Sequence, residues 1–424
     1  MPTGDSGPTT GSDVPGPKVT FTDFVVPMPN GSVAAPGAIC AGPDGRIWFL
    51  HETSAPNSIG AVTVDGQNFG QVDNSTTNIG PVGISPGPDG NVWYTKQQGL
   101  GKVTPGSLPM TGNPMISNGF QEYGAPMGSE TGAITSGPDG NLWFTGTAPS
   151  IIGKITPSGQ SSSYAVSGMN TSPTGIAAGP DGNLWYTDTS ANVIGKITTS
   201  GTITQYQIPT AASFPAAICA GPKGDGNLWF VEHDAHNIGR ITPSGTITEF
   251  AIASGAQPAA IVAGPDGNLW FTEPSSFNAI GRCTPSGQIS EYPLPTANAE
   301  PVSIAAGPDG NIWFSEEFVG KIGRFSNLTG GGTLASSTIT QTPLGGTVTK
   351  CTNDTDCVNS GMGCGGDVCS HILSPSACVL ANTGDPGWCT ASSDCWCMSE
   401  GATCDTTTHH CSTTGYDGLD GGTD

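Results

Sequence analysis

The sequence predicts an all-β chain: a seven-bladed β-propeller with a small disulfide-rich domain at its C-terminal end. Three observations lead there. Tryptophans stand at positions 48, 93, 143, 185, 229, 270 and 313, between 41 and 50 residues apart, which is the period of a four-stranded blade. Ahead of each lies a Gly-Pro-Asp-Gly-Asn turn or a close variant, and before that a run of small residues such as GAICAG, AAIVAG or VSIAAG. Ten of the 13 cysteines fall between positions 351 and 411.

Taken in chain order, residues 1–18 read as a flexible linker, with neither the charged nor the apolar region of a signal peptide. Residues 19–26 (VTFTDFVV) look like a fourth strand without its first three. The expectation is that they complete the seventh blade and close the ring, leaving no open sheet edge, with residues 337–344 (STITQTPL) as the rival for that place. The best-preserved repeat shows the blade: strand 259–264, turn 265–267, strand 268–272, strand 280–284, turn 285–287 and strand 288–292. Small residues in the first strand suit seven strands crowding one axis, and the recurrent tryptophan suits packing between blades. The basic residue of the third strand (Lys102, Lys154, Lys196, Arg240, Arg282, Arg324) is expected to pair across strands with Glu122, Gln205, Glu249 or Glu291.

The propeller should span residues 19–326, followed by a Gly/Ser/Thr-rich linker (327–350), the cysteine-rich domain (351–411) and a disordered tail (412–424). Cys351, Cys357, Cys364, Cys369, Cys378, Cys389, Cys395, Cys397, Cys404 and Cys411 are read as disulfide-forming, because so short a segment has little apolar surface to bury. Zinc is the alternative, but Cys395-Trp-Cys397 lacks the two-residue spacer of a zinc pair. Such cysteine density points outside the cytosol, to an extracellular, cell-surface or periplasmic protein whose signal sequence is not in this sequence. Cys40, Cys219 and Cys283 need no partners in the tail, and the first two share a small-residue slot as buried thiols.

A net charge of −22, from 34 acidic against 12 basic residues, argues against nucleic acid or an anionic membrane surface as partner. No apolar run is long enough to span a bilayer. A monomer binding a small molecule, a glycan or a protein is expected.

The repeat GPDGNLWFTE, followed by an IGR-x-TPSG run, resembles the streptogramin B lyase (virginiamycin B lyase) family of seven-bladed propellers over about residues 19–326. That resemblance implies a lyase that opens a cyclic depsipeptide by elimination. In it a magnesium ion polarises a carbonyl while a histidine removes the adjacent proton. The family's histidine follows a proline at the start of an innermost strand, and a second occupies the same place one blade earlier. Here those positions hold Val302 and Ala259, and the other blades offer Gly37, Val82, Gly132, Thr174 and Ala216, none of which can take a proton. No catalytic residue is therefore assigned.

The metal half of the family's site is matched by Glu300 and Glu316, expected to converge at the channel mouth on Mg²⁺ or Ca²⁺. Glu130 has nearly the Glu300 position in another blade, while Asp188, Glu232 and Glu273 have the Glu316 position in the loop after the second strand, suggesting either an acidic ring or a solvated rim. His51 with Glu52, and His233 and His236 around Asp234, are placed in loops of the same face as a possible further site. The leading expectation is a binding module without the family's histidines. The alternatives are a metal-dependent C–O lyase or hydrolase with a base such as His233 or His51, and a structural surface-display protein.

Overall fold

The computed structural model describes residues 19–27, 34–51, 58–73, 80–97, 99–107, 120–168 and 170–328, with short strands at Leu334–Ala335, Ala402–Asp405 and His410–Thr413. The chain divides into two units, Met1–Thr342 and Pro343–Asp424. The first contains seven sheets of antiparallel strands, six of them meandering outward in chain order and the seventh completed by the N-terminal strand. The first strand of every blade touches the first strands of both neighbours, so the seven close a ring around one axis. In the second unit, Ala402–Asp405 pairs with His410–Thr413, setting the backbones of Cys404 and Cys411 opposite one another. The other eight cysteines expected in disulfides lie outside the described residues, as do residues 337–344.

The N-terminal strand Val19–Val25 closes the ring. It runs antiparallel to Lys321–Ser326, the third strand of the seventh blade, and Leu334–Ala335 adds a short parallel partner at its outer edge. The first and last described segments of the propeller are thus held in one sheet, and the phenyl rings of Phe21 and Phe24 lock it to both neighbours.

The tryptophans are core, as expected: all seven are fully buried. Each indole N–H donates to the aspartate of its own Gly-Pro-Asp-Gly turn at 2.9–3.0 Å, from Asp44–Trp48 in the first blade to Asp309–Trp313 in the seventh. A fourth-strand ring stacks on six of them, as Tyr206 does on Trp185 with centroids 5.6 Å apart. That outer ring also explains the glycine of the turn between third and fourth strands. Gly287 holds φ 89°, and a Cβ there would collide with the Phe250 ring of the preceding blade.

The third-strand cations do not pair as the sequence suggested. Backbone register sets Lys102 opposite Gln121, so Glu122 projects from the other face of the sheet. Lys102 instead lies over the Trp93 ring at 5.1 Å, pairs with Asp89 at 3.2 Å and donates to the Pro157 carbonyl of the next blade at 2.8 Å. Lys196 and Arg240 repeat the pattern on Trp185 and Trp229. In the first blade Ala61 occupies the third-strand position, and Arg46, from the turn itself, covers Trp48. The fourth-strand acids lie on the face toward the preceding blade, where Glu249 accepts from Thr210 N–H at 3.1 Å; Glu122 meets Lys96 of its own sheet at 2.6 Å.

Turn, indole and cation therefore form one unit in each blade, and cutting it should destabilise the whole propeller. Asp266→Leu strands the Trp270 donor and should cost roughly 1–3 kcal/mol in chemical denaturation. Asp266→Asn keeps an acceptor and should lose clearly less. Equal losses in the two variants would show that turn geometry, not the indole bond, is what the aspartate supplies.

Candidate functional site

Antiparallel alternation puts the loops after second strands and the links between blades at one end of the propeller, which is the mouth. The Asp-Gly turns lie at the other end. At the mouth the innermost strand of the seventh blade begins with a bulge: Pro301 pairs with Glu316, but by Ile304, which pairs with Phe314, the register has slipped. The same slip recurs in blades one to five, and in the sixth the innermost strand shortens to Ile261–Ala263.

The bulge leaves a backbone N–H unpaired in the ladder, and a hydroxyl two residues after the tryptophan takes it up. Thr187 accepts from Gly175 N–H at 2.8 Å and itself donates to the Ala216 carbonyl of the next blade at 2.5 Å. Thr95 bridges Gly83 and Gly132 in the same way, and Thr145 reaches the Thr174 carbonyl. These hydroxyls were not singled out in the sequence, although their recurrence in WYTK, WFTG, WYTD, WFTE and WFSE was the available signal.

Inside this ring lies a cavity of about 670 Å³ whose lining draws on all seven blades. The residues after the strand-opening proline or its equivalent project there: Val82, Gly132, Thr174, Ala216 and Ala259 are all in its wall. Aliphatic carbon and hydroxyls dominate, with Gln97 and Glu130 at the margin. Glu130 is exposed there and is the only carboxylate in the lining among the described residues. Among the described residues no side chain in the wall is a histidine, lysine or cysteine.

The remaining acidic positions are not where a loop reading put them. Asp188, Glu232, Glu273 and Glu316 are the last residues of their second strands and fully buried, so they form neither a solvated rim nor a channel-facing ring. Each lies on the sheet face that also carries the middle fourth-strand residue. Burial, and then the charge of Glu249, pushes Glu232 up to about 8; burial and Glu291 do the same for Glu273. Glu316 also rises to about 8 through burial and the nearby Asp23 carboxylate, partly opposed by Lys321. Lys321 is ion-paired with Asp23 at 2.6 Å. At neutral pH these three carboxyls are largely protonated.

Glu300 directly precedes Pro301, the cross-strand partner of Glu316. It is half-buried with φ 51°, and its carboxylate accepts hydrogen bonds from the N–H (3.0 Å) and Oγ (3.4 Å) of Ser275 in the neighbouring blade's loop. Glu300 is thus engaged by Ser275, whereas Glu316 is fully buried. Both oxygens of Glu316 are without hydrogen-bond partners, but so are both of Glu273, in a blade where Gln257 replaces the proline-preceding glutamate. The orphaned carboxyl is thus a property of the repeat and does not single out a metal position. Among the described residues no group of three or more His, Cys, Asp or Glu is placed to hold a metal ion.

His51 is likewise a strand residue. It occupies the Glu316 position of the first blade, is fully buried against Phe49, and burial pushes it down to about 4, so it stays neutral. His233 hydrogen-bonds Asp234 at 2.7 Å and packs on Phe214, while His236 Nδ1 lies 3.3 Å from the Ala256 carbonyl. Cys40 and Cys283 are buried free thiols, and Cys219 is half-buried. No helix among the described residues is long and apolar enough to cross a membrane.

Fold and cavity together define a seven-bladed propeller of the streptogramin-lyase type with no histidine at the positions that open its innermost strands. The chain belongs to the virginiamycin B lyase family, whose model matches residues 111–225 and 223–335. It is similar to a solved streptogramin B lyase at 33% identity, over 73% of this chain and 98% of that one, with a TM-score of 0.64. The Staphylococcus aureus virginiamycin B lyase gives 34%, 73%, 99% and 0.64. A catalytically inactive histidine-to-alanine form of that enzyme, solved with quinupristin, gives the same values. No curated protein sequence matches the chain.

Two measurements follow. Because Glu232, Glu273 and Glu316 are raised from 4.5 to about 8 on folding, the stability they contribute is fully present below pH 4.5 and lost as pH rises through 8. The turn aspartates act oppositely: hydrogen bonds and a nearby cation outweigh burial and hold Asp44, Asp89, Asp139 and Asp181 low, so their contribution disappears in acid. The melting temperature should therefore fall between about pH 5 and 8, and glutamine at the three positions should flatten that fall. A melting temperature that rises over this range would mean the three carboxyls ionise freely in the fold. Calorimetric titration with Mg²⁺ and Ca²⁺ should show no saturable binding below about millimolar; tight binding abolished by Glu316→Gln would restore the inherited metal pair.

Proposed function

We propose that this chain is a binding propeller that takes a largely apolar ligand into the mouth cavity and releases it unchanged. One observation carries the reading: the cavity wall places carbon, glycine or a hydroxyl at five of the seven equivalent positions, and Gly37 and Val302 hold the other two. Binding needs shape and a few hydrogen bonds, both present, whereas elimination also needs a proton acceptor at the reacting carbon. The two alternative bases fare poorly. His51 is buried and neutral, and His233 is engaged with Asp234 outside the cavity lining. The cysteine-rich segment from 351 to 411 supports placing the protein outside the cytosol, at the cell surface or in the periplasm.

The test uses the family ligand as probe. Quinupristin should bind saturably, should weaken about tenfold or more when Thr174→Trp fills the cavity, and should be recovered intact with or without Mg²⁺. Ring-opened product by mass spectrometry would overturn the non-catalytic reading. Absence of binding would remove the cavity as a ligand site.

A further inference from the structure

Every large hydrophobic residue that is exposed among the described residues lies at the mouth: Val82 at 46%, Met127 at 75%, Phe214 at 48%, Phe277 at 37% and Phe318 at 75%. None lies at the turn end or along the outer strands. Scattered apolar side chains need no explanation, but confinement to one end, around a cavity, marks an interaction surface.

Charge is divided the same way. Eight of the ten described cations are drawn toward the turn end or the outer sheets, and the two near the mouth, Lys96 and Lys321, are held by Glu122 and Asp23. Between blades six and seven, Glu300 bridges to Ser275, and its carbonyl accepts the Glu317 N–H at 3.2 Å. That contact sets Glu300 and Glu317 side by side at the mouth, both partly exposed. Phe277 and Phe318 belong to the same two loops.

We infer that the mouth collar docks a basic, apolar polypeptide segment of another protein, with an arginine or lysine set against Glu300 and Glu317 and apolar neighbours on Phe277 and Phe318. A guanidinium can satisfy a carboxylate and stack on a phenyl ring at once. The exposed apolar side chains are spread over mouth segments from the second blade to the seventh, an arrangement that suits an extended chain as the occupant. The chain's own acidic character disfavours a second copy at this end. The inference rests on the mouth being the binding end.

Short fluorescein-labelled peptides alternating arginine with leucine and tryptophan, tested by anisotropy against the full chain, provide the probe. Two controls replace arginine by glutamate, or the apolar residues by serine. The basic apolar peptide should bind, more weakly at high salt. Phe277→Ser/Phe318→Ser should weaken it about tenfold, and Glu300→Gln/Glu317→Gln should weaken it and remove the salt dependence. All four side chains are at least partly exposed, so the variants should fold, and an unchanged melting curve confirms it. Failure of the basic apolar peptide to bind, equal binding of all three peptides, or indifference to both double variants would overturn the inference. So would self-association, seen by sedimentation, that the phenylalanine variant abolishes. Quinupristin and Thr174→Trp report on the cavity alone, so loss of the collar inference leaves the cavity reading standing, and the reverse.

Discussion

An indole N–H buried between two sheets must find an acceptor, and in this propeller it finds the same one seven times, the aspartate of the turn immediately before its own strand. Much else hangs on that bond. The aspartate charge holds a lysine or arginine over the indole face, and the cation reaches a carbonyl of the next blade. Turn, strand and blade interface are thereby coupled through a single carboxylate. The carboxylate in turn stays ionised because it is hydrogen-bonded from several sides.

The same face logic accounts for the carboxyls on the other side of each sheet. A second strand that extends one residue past the position opposite the bulge carries its last side chain into the slot beside the preceding blade, out of reach of water. Placing glutamate there costs stability as pH rises, so the two sets of acids pull against each other: the turn aspartates favour folding when ionised, the slot glutamates when protonated. Lys96 shows the alternative solution, a cation in the slot neutralised by Glu122.

What could be read in the sequence was whatever the repeat displays in one dimension. Period, turn, small inner strand and buried tryptophan all follow from spacing and residue size, and the isolated strand 19–26 announced the closure because it had no partners of its own. What escaped was anything that depends on which face a residue takes. Lys102 and Glu122 recur together, yet a register offset of one residue sends them to opposite sides of the sheet. Glu232, Glu273, Glu316 and His51 are polar, and polar residues just past a strand core read as loop; only the strand's true end shows that they are buried. The exposed Phe214, Phe277 and Phe318 were invisible for the converse reason, since a phenylalanine in a β-rich chain reads as core.

The position that decides the chemistry is also one the fold leaves free. In the innermost strands of blades three, four and five, the neighbouring threonine binds the backbone carbonyl of Gly132, Thr174 or Ala216, not its side chain. Whatever side chain stands there projects into the cavity while the main chain does the structural work. Valine, alanine and threonine all stand at this position in one blade or another while the hydroxyl bridges use the main chain, although at Gly132 a Cβ would come within 2.6 Å of the Thr145 hydroxyl. This separation of backbone support from side-chain display lets one propeller serve catalysis in some chains and, on the reading argued above, binding alone in this one.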